Sequence, residues 1–223
     1  MLRQAPSGRR RCGRCQRPQS HCLCAHIPLI ANRTRVFVLQ HPDEAKHPLN
    51  TARLAVLGLT QAELRIGEHF PELERLIGSV TRAWLLFPAN EQNPPATLPR
   101  PPAVTPLTAQ AVGTEAAPGR LKAQDGSLLI VPDGTWRKAR QIIRANPPLA
   151  TLPRVSLPAG PPSTYRVRRA READAVSTIE AVVRALSLME PGQDFSPLLK
   201  PFDVLVQQQI EAMGEAVYRR NYG

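Results

Sequence analysis

Residues 128–144 constrain the fold more than any other stretch, because a buried strand leads into an amphipathic helix after only a short loop. The apolar run Leu128–Val131 predicts a buried strand that stops at Pro132. Apolar residues then recur at helical spacing, with charged residues between them; the apolar set is Trp136, Ala139, Ile142 and Ile143. A strand that feeds directly into a helix predicts an α/β arrangement.

Asp133 lies in the loop between that strand and that helix, next to Gly134 and Thr135. In open α/β sheets, ligands bind beyond the carboxyl ends of the strands, so a carboxylate at this place is well positioned for chemistry. The simpler interpretation is that Asp133 only caps the helix. Taken alone, the segment leaves both interpretations open.

The charge balance of the chain favours a polyanionic partner. The 223 residues include 29 Lys and Arg against 18 Asp and Glu, for a formal net charge of +11. A genome that uses Arg in place of Lys would explain the choice of Arg, but not the excess over acids. We therefore expect a nucleic acid as partner. No secretion signal and no apolar run of membrane-spanning length occurs, so we expect a cytoplasmic protein with no membrane partner.

The four cysteines form one dense cluster with C-x2-C and C-x-C spacing: Cys12, Cys15, Cys22 and Cys24. Dense thiols in a reducing compartment favour a structural Zn²⁺ site, in which four thiolates leave no open coordination position. Two disulfides or a redox C-x-x-C pair are the competing interpretations, and His21 or His26 could replace one thiol. The segment around the cluster is basic, because residues 1–42 contain eight arginines and no acid. Arg14 and Arg17 are therefore candidates for contacting RNA phosphate.

The rest of the chain alternates strands and helices. Predicted strands cover Thr34–Leu39, Ala83–Phe87 and Pro153–Leu157, and predicted helices cover Ala52–Leu57, Pro71–Gly78, a segment beginning near Ser177, and a last helix from about Phe202 to Val217. This order predicts a mostly parallel sheet flanked by helices. We expect a basic tail and zinc module over residues 1–30 and one catalytic domain over 31–223, with a Pro-rich loop at 89–125. No dinucleotide fingerprint and no P-loop motif is present.

Asp133-Gly-Thr-Trp136 fits the D-x-T-W signature, and three further blocks accompany it in order. These are the four-cysteine segment, His41–Glu44 with Asn50-Thr51, and Tyr165-Arg166 followed by Ser177–Ala181. In these four blocks the chain resembles the DTW-domain family, whose members are tRNA-uridine aminocarboxypropyltransferases. The resemblance implies transfer of the 3-amino-3-carboxypropyl group of S-adenosylmethionine to N3 of a tRNA uridine, with release of 5′-methylthioadenosine. It also implies a SPOUT-like fold with a possible C-terminal trefoil knot.

This resemblance assigns roles to individual residues. Asp133 is the candidate catalytic group; because an aspartate is a weak base, we expect it to orient the uracil and accept the N3 proton late. We expect Thr135 to cap the helix and Trp136 to pack on its first turn, with stacking on a base as the alternative. The expected cofactor pocket comprises Phe87, Pro88, Pro132, Asp133, Gly134, Thr135, Trp136, Leu157, Pro158, Ser177 and Thr178. The expected RNA contacts are Arg14, Arg17, His41, Glu44, Asn50, Thr51, Tyr165, Arg166, Arg168 and Arg169.

Three other functions are compatible with these patterns. An RNA methyltransferase would use the same S-adenosylmethionine, and a related aminocarboxypropyltransferase would act on rRNA. A zinc-dependent RNA-binding module would have no catalytic role, but it would leave a carboxylate at a strand end unexplained. Both a monomer and a homodimer are compatible with the sequence.

Overall fold

The computed structural model describes residues 10–47, 49–89, 126–158, 163 and 176–222. Five parallel strands form one sheet in the order β2-β1-β4-β3-β5. The strands are β1 (Arg35–Gln40), β2 (Ala62–Ile66), β3 (Arg82–Leu86), β4 (Ser127–Asp133) and β5 (Arg154–Val155). The expected α/β class with a parallel sheet is confirmed.

Helices follow the strands in the described part of the chain. They are α1 (Pro42–Ala45), α2 (Ala52–Leu57), α3 (Leu73–Gly78), α4 (Trp136–Ala145), α5 (Pro147–Ala150), α6 (Thr178–Met189), α7 (Lys200–Met213) and α8 (Glu215–Tyr222). Short 3₁₀ turns occur at Gln19–His21, Cys24–His26 and Ser196–Leu199. Within the described residues, no helix has the length and apolar character needed to cross a membrane.

The sheet buries a different apolar core on each face. Alternate residues of β1 and β4 point to opposite faces, as in any strand. One face packs against α2, α6 and α7, and it includes Val36, Val38, Leu129 and Val131. The other face packs against α3, α4 and α5, and it includes Phe37, Leu39, Leu128 and Ile130. The cysteine-rich segment joins the first core, because the side chains of Cys15 and Leu23 are buried there.

The prediction that a strand ends before Pro132 is wrong, because β4 continues through Asp133. Two observations explain why proline is tolerated at this place. β3 pairs with β4 only as far as Leu85 and Ile130. The Asp133 carbonyl accepts a hydrogen bond from the His41 N–H, so the backbone of the preceding proline faces the unpaired β3 side. No ladder hydrogen bond is therefore lost to the missing N–H.

The prediction of one continuous final helix is also wrong. α7 ends at Met213, and α8 begins at Glu215. Gly214 separates them with φ 82° and ψ 138°, a backbone conformation that non-glycine residues rarely adopt. The strand β2 was not predicted, although Ala62, Leu64 and Ile66 alternate with charged residues in its sequence.

Candidate active site around Asp133

Asp133 is buried at the carboxyl end of β4, with 8% of its surface exposed. Its Cα pairs with that of Gln40, the last residue of β1, so both side chains leave the same face of the sheet. The Gln40 Nε2 donates to Asp133 Oδ2 at 2.7 Å. The Thr178 hydroxyl donates to Asp133 Oδ1. The carboxylate is therefore held at both oxygens by groups from two separate parts of the fold.

Gln40 links Asp133 to the loop that precedes α2. Its amide is completely buried, and it makes a reciprocal pair of hydrogen bonds with the Asn50 amide, each 3.1 Å long. Asn50 Oδ1 also accepts from the Arg53 N–H, so the Asn50 side chain satisfies one N–H group in the first turn of α2, whose N-cap position is Thr51. Sequence reasoning missed Gln40. Its position as a polar residue at the end of an apolar strand was a signal that could have found it.

α6 begins at the same site and brings Thr178 to the carboxylate. Ser177 is its N-cap, and Ser177 and Glu180 form a reciprocal capping box. Glu180 is buried, and its Oε2 accepts from the Ser177 N–H at 2.8 Å and from the Ser163 hydroxyl at 2.7 Å. The predicted helix near Ser177 is confirmed. The capping box fixes the direction in which Thr178 leaves the helix.

A cavity of about 60 Å³ lies beside Asp133 at the carboxyl edge of the sheet. Its lining is mainly polar and comprises Glu44, Leu49, Asn50, Thr51, Asp133, Gly134, Val176, Ser177 and Thr178. The structure thus brings together residues from both expected groups, the cofactor pocket and the RNA contacts. Carboxylates, hydroxyls and an amide around a small cavity suit a ligand group that carries both charge and hydrogen-bonding atoms.

Lys138 offsets part of the negative charge on the acidic side of this cavity. Its Nζ lies 3.2 Å from Glu44 Oε1 and 3.3 Å from Asp43 Oδ2. Burial alone would lower the pKa of Lys138, but the hydrogen bonds and charges of the two carboxylates outweigh it and raise that pKa. The hydrogen bond and charge of Lys138 hold the pKa of Asp43 below its usual range. The lysine is therefore a fixed cation behind Glu44.

Gly134 allows this close arrangement. A Cβ atom there would lie 3.0 Å from the Cβ of Lys138 and 3.6 Å from that of His41. His41 is buried, accepts the Asp43 N–H at Nδ1, and places Nε2 3.1 Å from Glu68 Oε1. His41 thus acts as a structural cap of α1.

The four cysteine Sγ atoms lie within 4.8 Å of one another, and all four cysteines are free. Sγ atoms are 3.5 Å apart for Cys12 and Cys24, and 3.7 Å apart for Cys15 and Cys22. A tetrahedral ion with metal–sulfur bonds of about 2.3 Å would hold its sulfurs about 3.8 Å apart. A disulfide would hold them at about 2.0 Å. The cluster is therefore compatible with a metal site and contains no disulfide.

The electrostatics of the four thiols also agree with a metal site. Backbone N–H groups of Cys15 and Arg14 lower the pKa of Cys12 to about 6. Burial, together with the neighbouring thiols, raises the pKa of Cys24 to about 12. The thiols therefore cannot all ionise together easily, and a divalent ion would remove that conflict. Neither of the histidines considered as ligands belongs to the cluster within the described residues.

The sequence matches the family model described as the DTW domain over residues 9–210. This chain belongs to the DTW-domain family. The match covers both the cysteine cluster and the Asp133 site. It also spans the strand, loop and helix that contain the D-x-T-W residues.

Curated relatives of this DTW protein occur in animals and plants. The chain is 28% identical to "tRNA-uridine aminocarboxypropyltransferase 2" of Drosophila melanogaster, over 92% of this chain and 77% of the fly protein. It is 28% identical to the Mus musculus protein of the same name, over 90% of this chain and 63% of the mouse protein. It is 28% identical to "tRNA-uridine aminocarboxypropyltransferase A" of Arabidopsis thaliana, over 81% of this chain and 72% of that protein. No solved structure matches the chain.

The remaining cofactor-pocket candidates lie at the ends of the other strands. Phe87 and Pro88 follow β3, Leu157 and Pro158 follow β5, and none of the four lines the cavity beside Asp133. Thr135 caps α4, as expected. Trp136 is half-buried rather than part of the core, and its ring meets that of Phe87 edge-to-face with centroids 5.5 Å apart. Strand ends converge on this edge of the sheet in the DTW domain.

The two arginines of the cysteine-rich segment bind protein carbonyl groups. Arg14 is exposed, and its guanidinium lies 3.5 Å from the Cys24 carbonyl and 3.4 Å from the Leu57 carbonyl at the end of α2. Arg17 donates to the His21 carbonyl at 3.0 Å. These contacts attach the segment to itself and to the helix layer. Four expected RNA contacts lie outside the described residues: Tyr165, Arg166, Arg168 and Arg169.

Proposed function

We propose that this chain is a tRNA-uridine aminocarboxypropyltransferase that transfers the 3-amino-3-carboxypropyl group of S-adenosylmethionine to N3 of a tRNA uridine. The observation that carries this proposal is the buried carboxylate of Asp133, held by two donors beside a polar cavity at the carboxyl edge of the sheet. The names of the curated relatives support the same substrate class.

The residues around the cavity suit the amino-acid end of S-adenosylmethionine. A site for the whole molecule requires several hundred Å³, whereas the described cavity has about 60 Å³. We therefore place only the charged arm there. The carboxylate of Glu44 would hold its ammonium group, and the amino-terminal end of α6 favours its carboxylate. The strand ends at Phe87, Pro88, Leu157 and Pro158, together with Trp136, would face the adenosine.

S-adenosylmethionine supplies a sulfonium with three electrophilic carbons, and the carbon that faces the nucleophile in line is the one that reacts. The task of the protein is therefore orientation. The hydrogen bonds from Gln40 and Thr178 contact both carboxylate oxygens of Asp133 and fix its direction. We assign Asp133 to accept a hydrogen bond from uracil N3–H. As the N3–carbon bond forms and the carbon–sulfur bond breaks, the proton passes to Asp133 and sulfur leaves as 5′-methylthioadenosine.

The remaining assignments belong to the same proposal. The four cysteines would hold a structural Zn²⁺, which a reducing compartment such as the cytoplasm permits. The cavity residues Asn50 and Thr51 would face the uridine, and the basic segments on either side would contact tRNA phosphate. We propose a SPOUT-like fold, with a module over residues 1–30 and a catalytic domain over 31–223. A C-terminal trefoil knot is part of this proposal, and the segments at 90–125, 159–162 and 164–175 lie outside the described residues.

The experiment that tests the function is product analysis. Purified protein is incubated with unmodified tRNA and S-adenosylmethionine, and the nucleosides and the small product are identified by mass. We expect a uridine that has gained the aminocarboxypropyl mass, together with 5′-methylthioadenosine. S-adenosylhomocysteine would instead indicate a methyltransferase, and product on rRNA alone would indicate another substrate. tRNA binding without any product would favour a non-catalytic RNA-binding module.

One substitution tests the catalytic role of Asp133 separately. Asp133→Asn preserves the shape of the side chain, so we expect tRNA binding to be retained and turnover to fall by about 100-fold or more, as for a group that acts in proton transfer. Asp194→Asn serves as a matched control, because Asp194 is exposed and lies outside the cavity lining. Near wild-type turnover of Asp133→Asn would contradict the assignment.

A further inference from the structure

The outer face of α4 carries a row of arginines, here called the α4 arginine stripe: Arg137, Arg140 and Arg144. Residues three and four apart share one side of a helix, and this side is opposite to the buried Ala139 and Ile142. All three arginines are exposed. Within the described residues none of them forms an ion pair or a side-chain hydrogen bond, and no acid occurs from residue 134 to 146.

Helix stability does not explain the first member of the stripe. Arg137 and Lys138 lie in the first turn of α4, where the positive end of the helix dipole disfavours cations. Two carboxylates compensate Lys138. Arg137 has no such compensation in the described structure. The exposed Arg65, by contrast, contacts the carboxylates of Glu63 and Glu72. Arg137 therefore retains a charge that its helix does not favour.

The stripe begins next to the candidate active site. α4 starts at Trp136, three residues after Asp133 in the sequence. From Arg137 to Arg144 the helix rises about 10 Å, at 1.5 Å per residue. The stripe thus leads away from the cavity along the solvent face of one rigid helix. A ligand that contacts it would be aligned with the carboxyl edge of the sheet.

We propose that the α4 arginine stripe binds the phosphate backbone of tRNA and directs the strand that carries the target uridine toward the Asp133 cavity. A guanidinium suits phosphate, because its planar donors match two phosphate oxygens at once. The net charge of +11 agrees with a polyanionic partner. The assignment rests on the proposed function for the identity of the RNA, but it concerns binding rather than chemistry.

The test compares two double variants that each remove two positive charges. Arg137→Ala/Arg140→Ala interrupts the stripe. Arg75→Ala/Arg82→Ala is the control, because both residues are exposed and lie toward the amino-terminal edge of the sheet, away from the cavity. At about 100 mM salt, we expect the stripe variant to weaken binding of unmodified tRNA by about 10-fold or more. Its plot of log K against log salt should lose about 2 units of slope, and the control should change binding less than about 2-fold.

Two further measurements distinguish binding from stability and from the proposed reaction. The melting temperature of Arg137→Ala should be unchanged or higher, since a disfavoured charge is removed, whereas a structural role would lower it. In the transfer assay, the stripe variant should raise KM for tRNA and leave kcat nearly unchanged. If the wild-type protein binds tRNA through the stripe but forms no product, the proposed reaction fails and the stripe assignment stands.

Three results would overturn the stripe assignment. The first is equal weakening by the two double variants, which would mean that only the net charge matters. The second is unchanged binding by the stripe variant. The third is displacement of tRNA by polyglutamate of equal charge as readily as by unlabelled tRNA, which would favour an acidic protein as partner.

Discussion

Replacing Gln40 by methionine should uncouple the Asp133 carboxylate from β1 while keeping the volume of the buried side chain. Gln40 is completely buried. Its amide donates to Asp133 Oδ2 at 2.7 Å and forms two hydrogen bonds of 3.1 Å with Asn50. A hydrogen bond to a charged group contributes about 1.5–3 kcal/mol. Loss of the two hydrogen bonds to Asn50 adds about 1 kcal/mol to the free-energy cost of the substitution. This contribution is small because the half-buried Asn50 can recover part of its hydrogen bonding from water.

We therefore expect Gln40→Met to lower the free energy of unfolding by about 3 kcal/mol, which for a chain of this length corresponds to a fall in melting temperature of roughly 10 °C. We also expect kcat to fall by about 10-fold or more, because a displaced catalytic group is costly. KM for tRNA should change little. Urea unfolding measures the first quantity, and 5′-methylthioadenosine release by the folded fraction measures the second.

Gln193→Met is the matched control, because Gln193 is exposed and its amide contacts only a neighbouring carbonyl. That variant should be within about 0.5 kcal/mol of wild type. If Gln40→Met retained wild-type stability and turnover while Asp133→Asn lost turnover, the idea that Gln40 positions the carboxylate would be refuted. A loss of stability with normal kcat would leave Gln40 a purely structural residue.

Three further predictions concern stability. Glu190→Ala should cost about 2–3 kcal/mol in a urea titration, because Glu190 is buried and accepts the N–H groups of Arg33 and Thr34 at 2.7–3.0 Å; Arg33→Ala should cost less than about 0.5 kcal/mol, since that side chain is 83% exposed. If the four cysteines hold Zn²⁺ as proposed, a chelator should lower the melting temperature and added Zn²⁺ should restore it; no change would show that no ion supports the module. Lys138→Met should be less stable than wild type at pH 7. Lys138 lowers the pKa of Asp43 in the folded protein, so the stability that this ion pair contributes is present above the pKa of Asp43 in the unfolded chain. The stability difference between wild type and Lys138→Met should therefore diminish as the pH falls below about 4. A difference that is independent of pH in this range would contradict the ion pair.

The parts of the fold that sequence patterns predicted are those in which one local signal is strong. The apolar runs of β3 and β4, the capping residue Thr135 and the helix that begins near Ser177 each depend on a signal within a few residues, and the structure contains them. β2 was not predicted, because its alternation of apolar and charged residues covers only five positions and the strand lies at the edge of the sheet. The break at Gly214 depends on one backbone angle, which helical periodicity does not report.

The site was predicted only in part, because its geometry depends on contacts between distant segments. Asp133 was identified from its place after a strand. Gln40 is 93 residues away in the chain, and its role follows only from the pairing of β1 with β4. Thr178 was expected in the cofactor pocket, but its hydrogen bond to Asp133 depends on the packing of α6 against the sheet. Local periodicity carries no information about either contact.

The apolar pattern of the two central strands nevertheless determines the geometry of this site. Val38 pairs with Val131, and Gln40 pairs with Asp133 two residues later on the same face of the sheet. That face is buried against α2 and α6, so a one-residue slip of β4 would turn Val131 to the opposite face of the sheet and Asp133 toward α4. The hydrophobic core thus fixes the register, and the register places the carboxylate beside Gln40 and Thr178. Core substitutions that loosen the β1–β4 pairing should therefore lower turnover before they unfold the protein, even though none of them touches the cavity.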